Sequence, residues 1–331
     1  MASEEYYNEL ISIIKKKRLS KAEIVKLKLK LCSKYGVKTV PTDIQVLLNA
    51  DKRDISLLRK YLLTKPTRSI SGVAMVAIMS KPYPCPHGKC TVCPGGPKSM
   101  FGDVPQSYTG KEPATMRAIR ANFDAYLQVF NRLEQYVVTG HIPDKIELII
   151  MGGTFISFPK KYRDNFVCNG LKAMNDFSDL FSTSGILDIT KFKEFFELPG
   201  EVQDKKRVRA IHKKIKGIRS KSNLEKEQRR NEKSRIRCVG MTIETRPDYA
   251  KLKHGNEMLR LGCTRVEVGV QSVFDIALKN IERGHTVEDS VKAIKTLKDL
   301  GFKLNLHMML GLPGVGIKEE LEGLKSLFPT T

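Results

Sequence analysis

The sequence has no apolar run near the roughly 20 residues that a membrane-spanning helix needs. Its N-terminus also lacks an apolar core followed by a small-residue cleavage site. A membrane span and a secretory leader are thereby set aside, and a cytoplasmic location is expected. Cysteine is scarce: seven in 331 residues, with Cys32, Cys168, Cys238 and Cys263 standing singly among apolar neighbours. That spread excludes an oxidised disulfide framework and reads as small core residues. Negative charge is short as well, with 36 Asp and Glu against 58 Lys and Arg, a formal net charge of +22. A thermostable Lys/Glu surface balances its signs. This chain does not, and a polyanion such as nucleic acid is the partner that its field would attract and orient.

What is present suffices for a large core, since 41% of the residues are hydrophobic, and one large domain with an appendage is expected. Residues 1–70 form the appendage. "ELISIIKKKRLS" and "KAEIVKLKLKLCSKYG" read as basic amphipathic helices, the second with Ile24, Leu27 and Leu31 on one face and Lys26, Lys30 and Lys34 on another. Two more segments continue as a helix-turn-helix-like run until Pro66 breaks it.

From residue 71 onward the pattern becomes strand, then helix, repeated. "VAMVAIMS", "KIELIIMGGT", "CVGMTIETRP", "RVEVGVQS" and "KLNLHMMLGLPG" are the strands, and helices are expected over 115–138, 160–174, 250–261 and 287–300, with another starting at 318. Such alternation means parallel strands joined by crossover helices. A partial (β/α) barrel fits, with catalytic groups on loops at the C-terminal strand ends; a doubly wound open sheet is the alternative. A basic insertion at about 200–237, "DKKRVRAIHKKIKGIRSKSNLEKEQRRNEKSRIR", has few apolar anchors. It is expected to stay mobile until a polyanion such as RNA neutralises it.

The one cysteine cluster, "YPCPHGKCTVCPGG", follows the first strand as Cys85-x4-Cys90-x2-Cys93. A disulfide needs an even number of thiols and a closed zinc site needs four ligands. Three thiolates can hold three irons of a [4Fe-4S] cluster and leave the fourth open to a small molecule. Zinc with His87 as fourth ligand is the competing reading, but His87 lies two residues from Cys85 and would crowd a tetrahedral site.

That motif and Gly152-Gly153-Thr154 after the second strand resemble the radical S-adenosylmethionine enzymes. "CPGGP", "PQSYTGKEPATMRAIRANFD", "DKIELIIMGGTF", "IETRPDYA", "GCTRVEVGVQSV", "RGHT" and "HMMLGLPG" narrow the resemblance to the catalytic-subunit family of the Elongator complex, in its stand-alone archaeal form. What this implies is a radical-SAM type of partial barrel and a tRNA-modifying acyltransferase acting at C5 of the wobble uridine, position 34, in the anticodon stem-loop. The implied cofactors are a [4Fe-4S] cluster bound by Cys85, Cys90 and Cys93, S-adenosyl-L-methionine chelated to the open iron, acetyl-CoA as co-substrate, and a reductant. In that family a 5′-deoxyadenosyl radical is thought to take hydrogen from the acetyl group, on the way to carboxymethyluridine.

By the same resemblance Gly152, Gly153 and Thr154 would approach the methionine part of the cofactor, and Lys145 matches a position implicated in acetyl-CoA binding. Glu244 and Gln271 would hold the ribose or amino-acid part, and Arg246 a phosphate. Members of the family carry an acetyltransferase-like domain after the barrel, whereas this sequence stops at "LKSLFPTT". The expectation is a truncated chain or one completed by a partner, with an unpaired strand edge. Two other functions stay open: a non-catalytic [4Fe-4S] RNA-binding fragment, and another radical enzyme on RNA such as a methylthiotransferase, which would ordinarily carry a second cysteine triplet.

Overall fold

Helices precede the sheet in the computed structural model, which describes residues 2–17, 19–64, 70–183, 186–200 and 204–327. They are α1 (Glu4–Lys16), α2 (Lys21–Lys34), α3 (Asp43–Leu48) and α4 (Lys52–Leu62). Strand β1 (Ala74–Met79) leads through a long loop to α5 (Pro113–Arg120) and α6 (Ala125–Val138), and β2 (Lys145–Met151) leads to α7 (Lys160–Phe181). A short antiparallel hairpin, β3 (Ser182–Thr183) with β4 (Ile186–Leu187), precedes α8 (Ile189–Phe195), α9 (Lys205–Ile218) and α10 (Leu224–Lys233). The chain continues as β5 (Arg237–Thr245), α11 (Leu252–Leu261), β6 (Arg265–Gln271), α12 (Asp275–Asn280), α13 (Val287–Asp299), β7 (Lys303–Met308) and α14 (Ile317–Ser326).

The large sheet is ordered β1-β2-β5-β6-β7, parallel throughout. A doubly wound sheet reverses its strand order at a switch point. This one never reverses, so the fold is the partial barrel. One face of each strand is apolar and lies under the helices: Val76, Ile78, Leu148, Ile150, Ile243, Val266 and Val268 are fully buried in the main core. The alternate residues point to the concave side; they are apolar on β1 (Met75, Ala77, Met79) and largely polar on β5, β6 and β7. Glu147 there pairs with Arg265 at 3.1 Å and accepts from Thr242 Oγ1 at 2.9 Å. The parallel register sets Glu244, Glu267 and Asn305 side by side across β5, β6 and β7.

The N-terminal helices enclose a second core around Tyr6, Leu10, Ile14, Ile24, Leu31, Leu58 and Leu62. Lys26, Lys30 and Lys34 are exposed, as the pattern requires, but Lys28 is buried, bound to Asp43 at 2.6 Å and to the Pro41 carbonyl at 3.0 Å. This unit is pinned to the barrel by Arg59 Nε donating to the Gly140 carbonyl at 2.6 Å and Lys193 Nζ to that of Ala50 at 3.0 Å. The expected break at Pro66 lies outside the described residues.

Two expectations are corrected. The helix expected over 115–138 is split between α5 and α6 by Asn122 and Phe123, both left-handed at φ 49° and 54°. The basic insertion is not a mobile run; it folds as α9 and α10 against the barrel. Ile211 and Ile215 are buried, and acids far away in the sequence neutralise three of its arginines: Arg207 pairs with Glu134 at 2.9 Å, Arg219 with Asp124 at 2.8 Å, and Arg230 with Asp176 at 2.7 Å. Beneath these, Asn175 donates to Glu227 at 2.8 Å and Asn231 donates to Asn175 at 2.7 Å. Buried polar groups satisfied in this way fix one packing geometry. The cations left exposed on α9 are Lys205, Lys206, Arg209, Lys213, Lys214 and Lys216, of which Lys214 pairs with Glu197 at 2.6 Å.

The four scattered cysteines are free thiols; Cys32, Cys168 and Cys263 are buried and Cys238 is half-buried, consistent with core residues. Among the described residues no helix is long and apolar enough to cross a membrane.

Candidate functional site

Parallel strands deliver their C-terminal ends to one side of the sheet, and the cysteine loop leaves β1 on that side. None of its three cysteines is in a disulfide, and Cys90 is buried while Cys85 and Cys93 are half-buried. Cys85 Sγ lies 3.7 Å from Thr154 Oγ1, Cys90 Sγ lies 3.1 Å from His87 Nε2, and Gln106 Nε2 donates to Cys93 Sγ at 3.3 Å. Arg283 Nη1 reaches Cys90 Sγ at 3.6 Å, while its Nη2 donates to the Gly269 carbonyl at 2.9 Å. Burial raises the Cys85 thiol, whereas Thr154, Arg246 and Arg283 pull it down. A thiolate here is therefore one that a positive centre must help to form.

The next strand end supplies a tight glycine turn. Gly152 has φ 123°, a conformation that L side chains rarely adopt, and a Cβ on it would stand 2.2 Å from Ser80 Oγ, so a larger residue would be strained and would displace the Ser80 hydroxyl. The amides of Gly152 and Gly153 both donate to Glu244 Oε2, at 3.1 and 3.4 Å, and Tyr108 Oη donates to the same carboxylate at 2.8 Å. Burial holds the Glu244 carboxyl above the usual range, and these three donors work against that shift. The Tyr108 phenol is raised by burial and then by Glu244. Gln271, ending β6, has φ 73°, a left-handed conformation for a non-glycine residue at a point of register shift. Local strain of this kind is held in place by the surrounding structure.

The structure thus brings Cys85, Cys90, Cys93, Gly152, Gly153, Thr154, Glu244 and Gln271 to one end of the sheet. Lys145 is not among them: it opens β2, is exposed, and lies at the opposite end, about 20 Å away at the rise of a strand. Arg246 is at the right end, but it is buried, paired with Asp248 at 2.9 Å and 2.9 Å from His87 Nε2, so it is not free to meet a phosphate. Sequence reading missed Tyr108, Gln106 and Arg283, which arrive on loops. "PQSYTG" and "RGHT" were visible as blocks, but nothing local assigned their partners.

Do these residues fit an iron–sulfur cluster? Among the described residues no three His, Cys, Asp or Glu side chains are gathered tightly enough for a single metal ion. A cluster asks for something else, one thiolate at each of three separate irons. Three thiols on one loop, flanked by Arg283 and by Gln106 Nε2–H, match that donor set. Ser80 Oγ, His87 Nδ1, Arg283 Nε and His285 Nδ1, on the segments framing the loop, are buried without a hydrogen-bond partner. Buried polar atoms in that state are free to meet a water, an ion or a bound group. For the zinc alternative, His87 Nε2 lies 3.1 Å from Cys90 Sγ and 2.9 Å from Arg246 Nη1, so a metal ion on that nitrogen would stand against a guanidinium.

A parallel partial barrel with a three-cysteine loop at its C-terminal rim defines a class, and residues 82–326 match the radical SAM superfamily; the chain belongs to it. More particularly, residues 1–70 match the ELP3 N-terminal domain. Over 288 residues the chain is 44% identical to the tRNA uridine(34) acetyltransferase of Methanocaldococcus infernus, covering 87% of this chain and 46% of that protein. Over 311 residues it is 37% identical to Elongator complex protein 3 of Homo sapiens, covering 92% and 49%. The solved structure of M. infernus Elp3 with residues 1–46 deleted superposes with a TM-score of 0.53 at 34% identity, covering 78% of this chain and 43% of that one. The chain spans about half the length of the curated relatives it matches.

Proposed function

We propose that this chain forms the cluster-bearing and RNA-facing part of an enzyme that substitutes C5 of uridine 34 in the tRNA anticodon towards carboxymethyluridine, with acetyl-CoA as co-substrate. The observation that carries this reading is the three-thiol loop framed by Gly152, Gly153 and Glu244 at the C-terminal rim. It stands in a chain of net charge +22 that is 44% identical to a protein named tRNA uridine(34) acetyltransferase. On this reading residues 1–70 are a helical tRNA-binding region and residues from 71 onward are the radical core.

Cys85, Cys90 and Cys93 would hold a [4Fe-4S] cluster, and Gly152, Gly153, Thr154, Glu244 and Gln271 would line the S-adenosyl-L-methionine beside it. Once reduced by an external one-electron donor, the bound groups supply the radical initiation that C5 of uracil needs, because ordinary acyl transfer works on an activated carbonyl. The chain's own residues bind and orient. Arg283 offsets thiolate charge at Cys90. Glu244, a buried acceptor held by Tyr108 Oη and two amides, is suited to a cationic amine. Gly152 keeps backbone carbonyls within reach of such a group. The exposed cations of α9 and those of α2 would meet phosphates of the anticodon stem-loop, at a cost to affinity in high salt.

The test is anaerobic: reconstitute the protein with iron and sulfide, reduce it, and record EPR with and without S-adenosyl-L-methionine. A [4Fe-4S] signal that shifts on adding the cofactor is expected. No cluster, or zinc in its place, would reduce the protein to a basic RNA-binding fragment.

A further inference from the structure

The cysteine loop continues into a small structured tip. Ser99 and Gly102 form an antiparallel bridge, Ser99 Oγ donates to the Gly102 carbonyl at 2.8 Å, and Lys98 N donates to Asp103 Oδ1 at 2.8 Å. These bonds hold two apolar side chains out in solvent, Met100 at 89% and Phe101 at 37% exposure. The tip is tied back to the cluster loop through Gln106, which donates to Cys93. Lys111 Nζ stands 5.8 Å from the Phe101 ring centroid. Lys98 is exposed, as are Met116, Ile119 and Arg120 of α5, the helix that follows Lys111.

Isolated exposed apolar residues need no explanation, but a hydrogen-bonded tip that presents two of them, with Lys111 against the aromatic ring and exposed Lys98 at its base, does. Its occupant has to offer a flat apolar face and negative charge together. An unpaired nucleotide does so, with its base for Phe101 and its phosphate for the lysines. We propose that Met100 and Phe101 form a stacking platform for an unpaired base of an RNA loop, next to the cysteine loop. The inference rests on the RNA reading above and deepens it. Chemistry at C5 of a base requires that base out of its stack, and an aromatic face at the rim can receive it or a neighbour.

The test compares the full chain with Phe101→Ala, Phe101→Trp and Met100→Ala. The probes are an RNA hairpin with a seven-nucleotide loop carrying 2-aminopurine and a blunt RNA duplex of equal charge. Phe101→Ala is expected to weaken hairpin binding about 5- to 150-fold, the range that alanine substitution of a stacking aromatic gives. Duplex affinity and the salt slope should stay unchanged, Phe101→Trp should retain binding, and the quenching of 2-aminopurine on binding should be lost with Phe101→Ala. Equal losses on hairpin and duplex, or no loss on either, would overturn the platform. So would intact RNA binding with the tip protected instead by self-association. Wild-type protein that binds neither RNA would sink the RNA reading itself, a result distinct from failure of the platform.

Discussion

Along β6, Val266 and Val268 are fully buried beneath the helices, while Arg265 and Glu267, one position away, look across the concave side at Glu147 and His307. The same alternation of burial runs through β2. Two faces of one ribbon of backbone thus carry different duties. The outer face supplies apolar burial, and the inner face carries polar groups paired with one another. The inner groups matter by position: the parallel register aligns Glu244, Glu267 and Asn305 in one row, ending beside the cysteine loop. If this division is right, substitutions on the two faces should separate stability from binding.

The largest effect on stability belongs to the outer face. Leu148 is fully buried in the main core, and Leu148→Ala should lose about 2–5 kcal/mol in urea unfolding, from lost transfer energy and the cavity left behind. A loss under about 1 kcal/mol would mean that the site collapses freely and that the outer face is not the main support.

Glu244→Gln sharpens the contrast. The amide oxygen can still accept from Tyr108 Oη and the two glycine amides, and burial already disfavours the charged form. Stability should change by less than about 1 kcal/mol, or rise. Affinity of the reconstituted protein for S-adenosyl-L-methionine, measured by calorimetry, should fall about tenfold or more, the worth of one lost charged contact. Unfolding of the variant, or unchanged affinity, would remove Glu244 from the binding role.

The two faces were not equally legible. Outer-face residues announce themselves by period-two alternation, as in "KIELIIM" and "RVEVGVQ", and the cysteine spacing marks the loop after β1. Glu244 and Gln271 were found because they end strands. Tyr108 and Arg283 were not, because a loop's destination is set by tertiary closure rather than by local pattern. The insertion misled for a related reason. Its charge looked unopposed because Glu134, Asp124 and Asp176, which neutralise it, lie tens of residues away. The break between α5 and α6 uses left-handed Asn122 and Phe123, with no glycine or proline to signal it.

The smallest effect is also on the inner face. His307 Nε2 lies 3.0 Å from Glu267 Oε2, with the histidine side chain 44% exposed. The hydrogen bond raises His307 above its ordinary value and lowers Glu267 below its own; Glu244 adds to the histidine shift, burial opposes it, and Arg265 helps hold the Glu267 carboxylate ionised. A raised histidine contributes stability that is fully present below its unfolded value of 6.5 and is lost as pH rises through the folded value. A lowered glutamate contributes stability that is present above 4.5 and is lost as pH falls through the folded value. The pair therefore stabilises most between those limits. The stability difference between wild type and His307→Gln should peak near about pH 5.5 and shrink by about pH 8.5. Solvent screening of so exposed a pair keeps it under about 1 kcal/mol. A difference that is flat or grows with pH would mean that the pair does not form, and that the inner face is held by packing as the outer one is.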